Sequence, residues 1–441
     1  MTASSLPVVP FGRPMRQAHF SFSPNYTPLN HGSYGTHPKS VRELHAALQA
    51  EVEEAPDRFI KLEWPGRLRE ARAAAAGLLG CETDELVFVP NATTGVDTVL
   101  KNIRFRPGDV VLIYEVVYEA VRGGLAWLEE TFDVRVEVVP LCFPLSDDEI
   151  VDAAVGAARR INDNNNNAAE GKNERVRLAI VDTVASLPGF RLPFERLVPA
   201  LKAEGALVVV DGAHGIGHVE IDLKKLDPDF FVTNLHKWLF VPRAVAALYV
   251  PRRHQDLIRT SLPTSHRFRR RGDEANEKAF VELFDFTGTM DTTNYLTVTA
   301  ALAFRNEVCG GEAAISTYCR ALARESGEIA ASILGTEVMD VAGSCMRECN
   351  FANVRLPLII SDSGKEGTIR PLDAKRAIMW FKETGVKESG TYFQTCLYRG
   401  ALWWRLSATV YVEVEDFKKG ARVLSELCER VSRASGIPEA V

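Results

Sequence analysis

Asp211 and Lys237 stand 26 residues apart (237 − 211), each closing an apolar run, in ALVVVD and FFVTNLHK. A carboxylate at a strand end serves either a turn or catalysis. A lysine beside His236 and before the apolar Trp238-Leu239-Phe240 is either a solvated surface amine or one desolvated enough for nucleophilic use. The stretch Asn91-Ala92-Thr93-Thr94-Gly95 follows the apolar run ELVFVP and opens a helical one. Hydroxyls and backbone N–H groups at such a point form either a helix cap or an anion site suited to a phosphate. Arg405 lies inside WWRLSA, where a guanidinium without an anion is costly.

Together these four features match the needs of pyridoxal 5'-phosphate: an anchored phosphate, a carboxylate for the pyridinium nitrogen and an amine for the aldehyde. Asp211 keeps the ring nitrogen protonated, so that the ring can accept electrons from a substrate carbanion. Arg405 would hold the carboxylate of an amino-acid substrate bidentately. A nicotinamide dehydrogenase, suggested by the glycines of DGAHGIG, fails the G-x-G-x-x-G spacing, because Asp211 stands where the first phosphate-facing glycine belongs.

Elements able to position these residues are legible in the pattern. Short apolar runs at Glu85–Pro90, Val110–Glu115, Val134–Leu141, Leu178–Ser186, Ala206–His214, Phe230–Asn234 and Val245–Val250 alternate with helical segments. Continuous apolar strands between helices predict a mostly parallel sheet covered on both faces, which binds ligands beyond the carboxyl ends of its strands. Helices are expected from Pro38 and over Arg67–Leu79, and the polar stretch Ile161–Glu174 as a mobile surface loop. After about Thr289 a long helical region, Asn294–Leu334, leads to a strand near Ala352–Ile359 and a helix around Leu372–Glu383. A strand at Trp403–Thr409 and a closing helix complete a smaller α+β domain. The expected division is an N-terminal arm (1–28), a large cofactor-binding domain (29–290) and a small C-terminal domain (291–441).

The 441 residues carry 52 Lys+Arg and 58 Asp+Glu, a net charge of −6 that argues against an unspecific nucleic-acid binder. Eight cysteines are too sparse for a disulfide scaffold, and the Cys345/Cys349 pair has no partner at zinc spacing. His214 and His218 are four apart, but Gly215 and Gly217 between them argue against a helical ligand face, so no metal is expected. The N-terminus lacks an apolar signal core and no run reaches the roughly 18 apolar residues of a membrane span, so a cytoplasmic protein is expected.

At these residues the chain resembles the class V aminotransferase family of fold-type I pyridoxal-phosphate enzymes, in the branch of isopenicillin N epimerase and the hercynylcysteine and cysteine sulfoxide lyases. The matching stretches are LNHGSYGTHP (Leu29–Pro38), NATTGV (Asn91–Val96), VDGAHGIG (Val210–Gly217), NLHKWLFVPR (Asn234–Arg243), LPTSH (Leu262–His266), FTGTMD (Phe286–Asp291) and RLSA (Arg405–Ala408). The resemblance implies that Lys237 holds the aldehyde as a Schiff base, Asp211 pairs with the ring nitrogen and His214 meets the ring hydroxyl. Thr93, Thr94, Asn234 and His236 would surround the phosphate, and Asp182 joins the cofactor-binding set. Thr289 resembles a residue donated by a neighbouring subunit, which implies a homodimer. Tyr118 matches a position facing the ring, with a plain core tyrosine as the alternative. Asn30, His31 and Ser33 would line the substrate side with Arg405, His31 having a structural turn role as its rival. Leu235 and Ala244 depart from the branch pattern, NCHKW and PRG, beside the cofactor lysine.

The activity implied is β-elimination on a cysteine S-conjugate or cysteine sulfoxide, giving pyruvate, ammonia and a sulfur product. Lys237 would act as the base, with Tyr118 or His31 donating a proton to the leaving group. The alternatives are a cysteine desulfurase, an amino-acid epimerase, a carbon–carbon bond-forming enzyme, or a cofactor-less dimeric module. A desulfurase needs a sulfur-accepting cysteine, and Cys396, nine residues before Arg405 (405 − 396), reads better as a structural thiol.

Overall fold

A computed structural model describes residues 6–163, 174–264, 267–270, 272, 278–363 and 368–433. The expected loop at Ile161–Glu174 lies largely outside the described residues; its first three positions end a helix, Asp147–Asp163. The chain divides into two compact units. One holds Gly35–Ala185 and Leu192–Ala303, the other Met1–Tyr34, Ser186–Arg191 and Phe304–Val441.

Seven strands form the sheet of the first unit: β1 (Leu86–Val89), β2 (Asp109–Tyr114), β3 (Arg135–Val139), β4 (Arg175–Asp182), β5 (Leu207–Gly212), β6 (Phe230–Asn234) and β7 (Ala246–Tyr249). Their order is β1-β7-β6-β5-β4-β2-β3. The four joints from β6 to β3 are parallel, and β7 pairs antiparallel with both its neighbours. Strands such as LVFV and DVVLIY are buried at every position, which accounts for their unbroken apolar character. Helices Ala92–Asn102, Glu119–Phe132 and Ala279–Asp285 cover one face, packing Val96, Val99, Leu125 and Phe280 against Val111 and Val232. Each such fully buried side chain contributes about 1.5–3 kcal/mol.

Register sets the chemistry at the carboxyl ends. Asp182 of β4 pairs with Asp211 of β5, and Gly212 with Thr233 of β6, so both carboxylates and the start of the Lys237 turn share one sheet edge. The turn after β6 is a single helical turn, Leu235–Trp238, ending in Phe240 at φ 66°. An aromatic residue in the left-handed region is strained, and here it redirects the chain three residues after Lys237. Gly35 packs on the same turn: a Cβ there would stand 1.8 Å from the His236 carbonyl oxygen.

In the second unit β8 (Phe351–Ile360), β9 (Thr368–Ile369), β10 (Thr395–Tyr398) and β11 (Ala401–Ser407) form a sheet in the order β9-β8-β11-β10. The N-terminal segment packs within this unit through a helix, Arg13–His19. Gly12 N–H donates to the Val410 carbonyl at 2.8 Å, and Arg16 pairs with Asp416 at 2.9 Å. The long helical region expected over Asn294–Leu334 is broken. Gly310 and Gly311, at φ 76° and 89°, end one helical run, and a separate helix, Glu312–Leu334, follows. Among the described residues no helix is long and apolar enough to cross a membrane.

Candidate active site

Lys237 closes the β6 turn with its Nζ 3.1 Å from Nε2 of His214, and Trp238 Nε1 donates to the other ring nitrogen of His214 at 3.1 Å. Asp211 is only 3 % exposed and accepts the Ala213 N–H at 2.9 Å. Burial raises its pKa, while that bond and the positive charge of Lys237 pull it back. Asp182, 4 % exposed, is held well above the carboxylate range by burial and by the Asp211 charge. Two acids side by side in a low-dielectric edge favour a cation between or beyond them.

The helix after β1 starts beside this edge. Its cap is Asn91, whose side chain accepts the Thr94 N–H at 2.8 Å and the Thr94 hydroxyl at 3.1 Å. The cap is therefore filled without Thr93, which is exposed. Asn234, at the end of β6, accepts the Ala92 N–H at 2.9 Å and so ties the helix start to the lysine turn. His236 donates Nδ1–H to the Val245 carbonyl at 2.8 Å, and burial lowers its pKa to about 4. Tyr118 precedes the helix Glu119–Phe132 and is 48 % exposed, which removes the core-tyrosine reading. Thr289 lies on an exposed loop and lines, with Phe59, Trp64, Phe88, Thr94 and Phe286, a cavity of about 690 Å³.

The second unit contains its own polar centre. Arg405 on β11 is 1 % exposed and has no carboxylate partner among the described residues. Its Nη1 donates to the Ser186 carbonyl at 2.7 Å, and its Nη2 to Asn30 Oδ1 and Ser33 Oγ, each at 2.9 Å. Among the described residues Nε has no hydrogen-bond partner, and the guanidinium lies 4.5 Å from the Phe351 ring centroid. Burial lowers the Arg405 pKa to about 10. Asn30 and Ser33 thus hold the arginine. His31 is buried and shares a 2.6 Å hydrogen bond with the Tyr411 hydroxyl. Cys396 on β10 is buried, which pushes its thiol up to about 12.

Some supporting residues have no distinctive sequence pattern. Asn353 clamps Gly189 from both sides, accepting its N–H at 2.9 Å and donating to its carbonyl at 2.8 Å. A Cβ on Gly189 would stand 2.5 Å from Arg405 Cδ, so the arginine stem needs glycine there. The bond from Trp238 to His214 carries no signal beyond the HKW run.

The residues present fit pyridoxal phosphate. Asp211 gives the edge the negative character a cationic ring nitrogen needs, and the neighbouring Oδ2 of Asp182 is buried without a hydrogen-bond partner among the described residues. Lys237 supplies an amine for an aldehyde, and the helix start at Thr93 and Thr94 suits a phosphate. A mostly parallel sheet with a lysine and two acids at its carboxyl edge is the architecture of the fold-type I pyridoxal-phosphate enzymes.

The chain belongs to the aminotransferase class-V family, whose model matches residues 59–354. It is 37 % identical to the L-cysteine desulfhydrase-like protein lolT1 of Epichloe uncinata, over 96 % of this chain and 97 % of that protein. It is 27 % identical to the hercynylcysteine sulfoxide lyase of Schizosaccharomyces pombe, over 95 % and 98 % respectively. Among solved structures, the cystine C–S lyase C-DES in complex with cysteine persulfide superposes with a TM-score of 0.69. That match covers 91 % of this chain and 98 % of C-DES at 16 % identity, a likeness of fold.

Proposed function

We propose that this chain cleaves the Cβ–S bond of a cysteine S-conjugate or cysteine sulfoxide by β-elimination, releasing pyruvate, ammonia and a sulfur product. The observation that carries the reading is Lys237, held at its nitrogen by His214 on the same sheet edge as the buried Asp211. Bound pyridoxal phosphate supplies an electron sink for the pair released at the substrate Cα. Asp211 holds the positive charge on the ring nitrogen that makes the sink effective, and Thr93 and Thr94 bind the phosphate. Arg405, a buried cation with neutral partners, anchors the substrate carboxylate.

Lys237 takes the Cα proton as general base. The Cβ–S bond then breaks with its electron pair on sulfur, and Tyr118 or His31 donates a proton to the departing group. The unsaturated amine left behind hydrolyses to pyruvate and ammonia. A sulfoxide leaves more readily than a thiolate, so this chemistry needs no sulfur-accepting cysteine. The buried, protonated Cys396 supports elimination over desulfuration.

The working unit is a homodimer in which the loop carrying Thr289 completes the phosphate site of the second copy. The exposed apolar side chains of Phe286 and Met290 on that loop support it. Incubation with a panel of cysteine S-conjugates and sulfoxides, following pyruvate, ammonia and deuterium uptake at Cα, tests the activity. Pyruvate and ammonia in equal amounts are expected. Deuterium uptake without pyruvate would mean epimerisation.

A further inference from the structure

Trp238 follows Lys237 directly and is 2 % exposed. Its indole nitrogen has a hydrogen to give and no lone pair to accept with. Since Nε1 lies 3.1 Å from Nδ1 of His214, that ring nitrogen is the acceptor. A neutral imidazole carries a single hydrogen, which therefore stands on Nε2. Nε2 is the atom 3.1 Å from Nζ of Lys237, so His214 donates to the lysine nitrogen.

The other histidine of DGAHGIGH steadies the indole. The His218 ring stacks on Trp238 with centroids 4.0 Å apart, and its Nδ1 gives a hydrogen to the His214 carbonyl at 3.0 Å. The intervening turn is closed by the His218 N–H on the Gly215 carbonyl at 3.1 Å. His214 and His218 are both buried. The two histidines and the tryptophan thus form one network around the lysine nitrogen.

We propose that Trp238 is a positioning residue: its indole N–H locks His214 in the Nε2–H form, and His214 then donates to the Lys237 nitrogen and keeps its lone pair unprotonated. Both attachment of an aldehyde and removal of a proton require that lone pair. Asp211 opposes the lock, because its charge favours a cation at Lys237. His236, beside the lysine, is kept neutral chiefly by burial and also by Lys237 and Arg243. The inference rests on Lys237 being the cofactor lysine and adds the residue that sets its proton state.

The test is a pH titration of the visible absorbance of cofactor-loaded protein, which follows protonation of the Lys237 nitrogen, in wild type, Trp238→Phe, His214→Leu and the double variant. Trp238→Phe keeps the aromatic bulk and removes the N–H, so its midpoint is expected to rise by about one pH unit, the scale of one hydrogen bond. In the His214→Leu background the same change should move the midpoint no further. An unchanged midpoint in Trp238→Phe, or equal shifts in both backgrounds, overturns the proposal. Nitrogen-15 spectra of histidine-labelled wild type give an independent readout should a variant fail to fold. His214 is expected to show a protonated Nε2 and an unprotonated Nδ1, and the reverse overturns the proposal. A wild type without a visible band would instead contradict the cofactor assignment, and the nitrogen spectra would still decide the state of His214.

Discussion

Arg405 and Asn30, 375 residues apart in sequence, meet through a 2.9 Å hydrogen bond from Nη2 to Oδ1. Asn30 Oδ1 also accepts the Ser33 hydroxyl at 2.8 Å, so one amide oxygen orders two donors around the guanidinium. Among the described residues none of the arginine's hydrogen-bond partners is charged, as the proposed binding of a substrate carboxylate requires.

Truncating Asn30 to Ala should therefore act through the arginine. The expected effect is a rise in KM of about tenfold with a smaller change in kcat, the loss of one hydrogen bond to a charged group. Gly189→Ala should do the same by pushing on the arginine stem, since its Cβ would stand 2.5 Å from Arg405 Cδ. Steady-state kinetics with the best sulfur substrate checks both. A fall in kcat alone would place Arg405 outside substrate binding.

Cys396 gives a prediction of little change. Its thiol is buried and pushed up to about 12, so almost none is thiolate at neutral pH. Cys396→Ala should retain pyruvate formation within about twofold, a change of under 0.5 kcal/mol in the barrier. Loss of activity, with alanine and persulfide formed only by the wild type, would make the enzyme a desulfurase.

Much of the site was legible because it is local. Phe230–Asn234 is a strand in the pattern and in the structure, and the lysine turn follows it directly. The helix boundary at Gly310–Gly311 was missed because apolar spacing continues on both sides, although the glycine pair itself was the available signal. The burial of Arg405 in an apolar strand was legible, but its partners were not. Asn30, Ser33 and Ser186 reach it from segments far away in the chain, and such contacts leave no periodicity. Similarly, Asn91 rather than a threonine caps its helix, because several residue types there compete for the same N–H groups.

Acid sensitivity should carry a histidine signature. Burial, with Arg243 adding to it, lowers the His37 pKa from its ordinary 6.5 to about 4. The folded form then binds fewer protons than the unfolded one, so this group's contribution is fully present above 6.5 and is lost as pH falls toward 4. The raised acid Asp182 has the opposite sign, so the useful quantity is a difference between proteins. Urea midpoints of wild type should fall relative to His37→Gln between those two pH values. A difference that stays constant with pH would refute the assignment.

The dimer can be tested by complementation. Thr289→Val should weaken cofactor binding, and mixing it with Lys237→Ala should restore activity if, as proposed, the active lysine site receives Thr289 from the other copy. Equal mixing and random pairing give about a quarter of wild-type activity. No recovery, with heterodimers demonstrated by mass, would place Thr289 in its own subunit's site.

The covalent role of Lys237 is tested most directly by reducing the cofactor-loaded protein with borohydride, digesting it and locating the modified peptide by mass spectrometry. The pyridoxyl group is expected on Lys237 within NLHKWLFVPR, with loss of the visible band, and no modification in Lys237→Ala. A label on another lysine, or a protein that takes up no cofactor, would contradict the account.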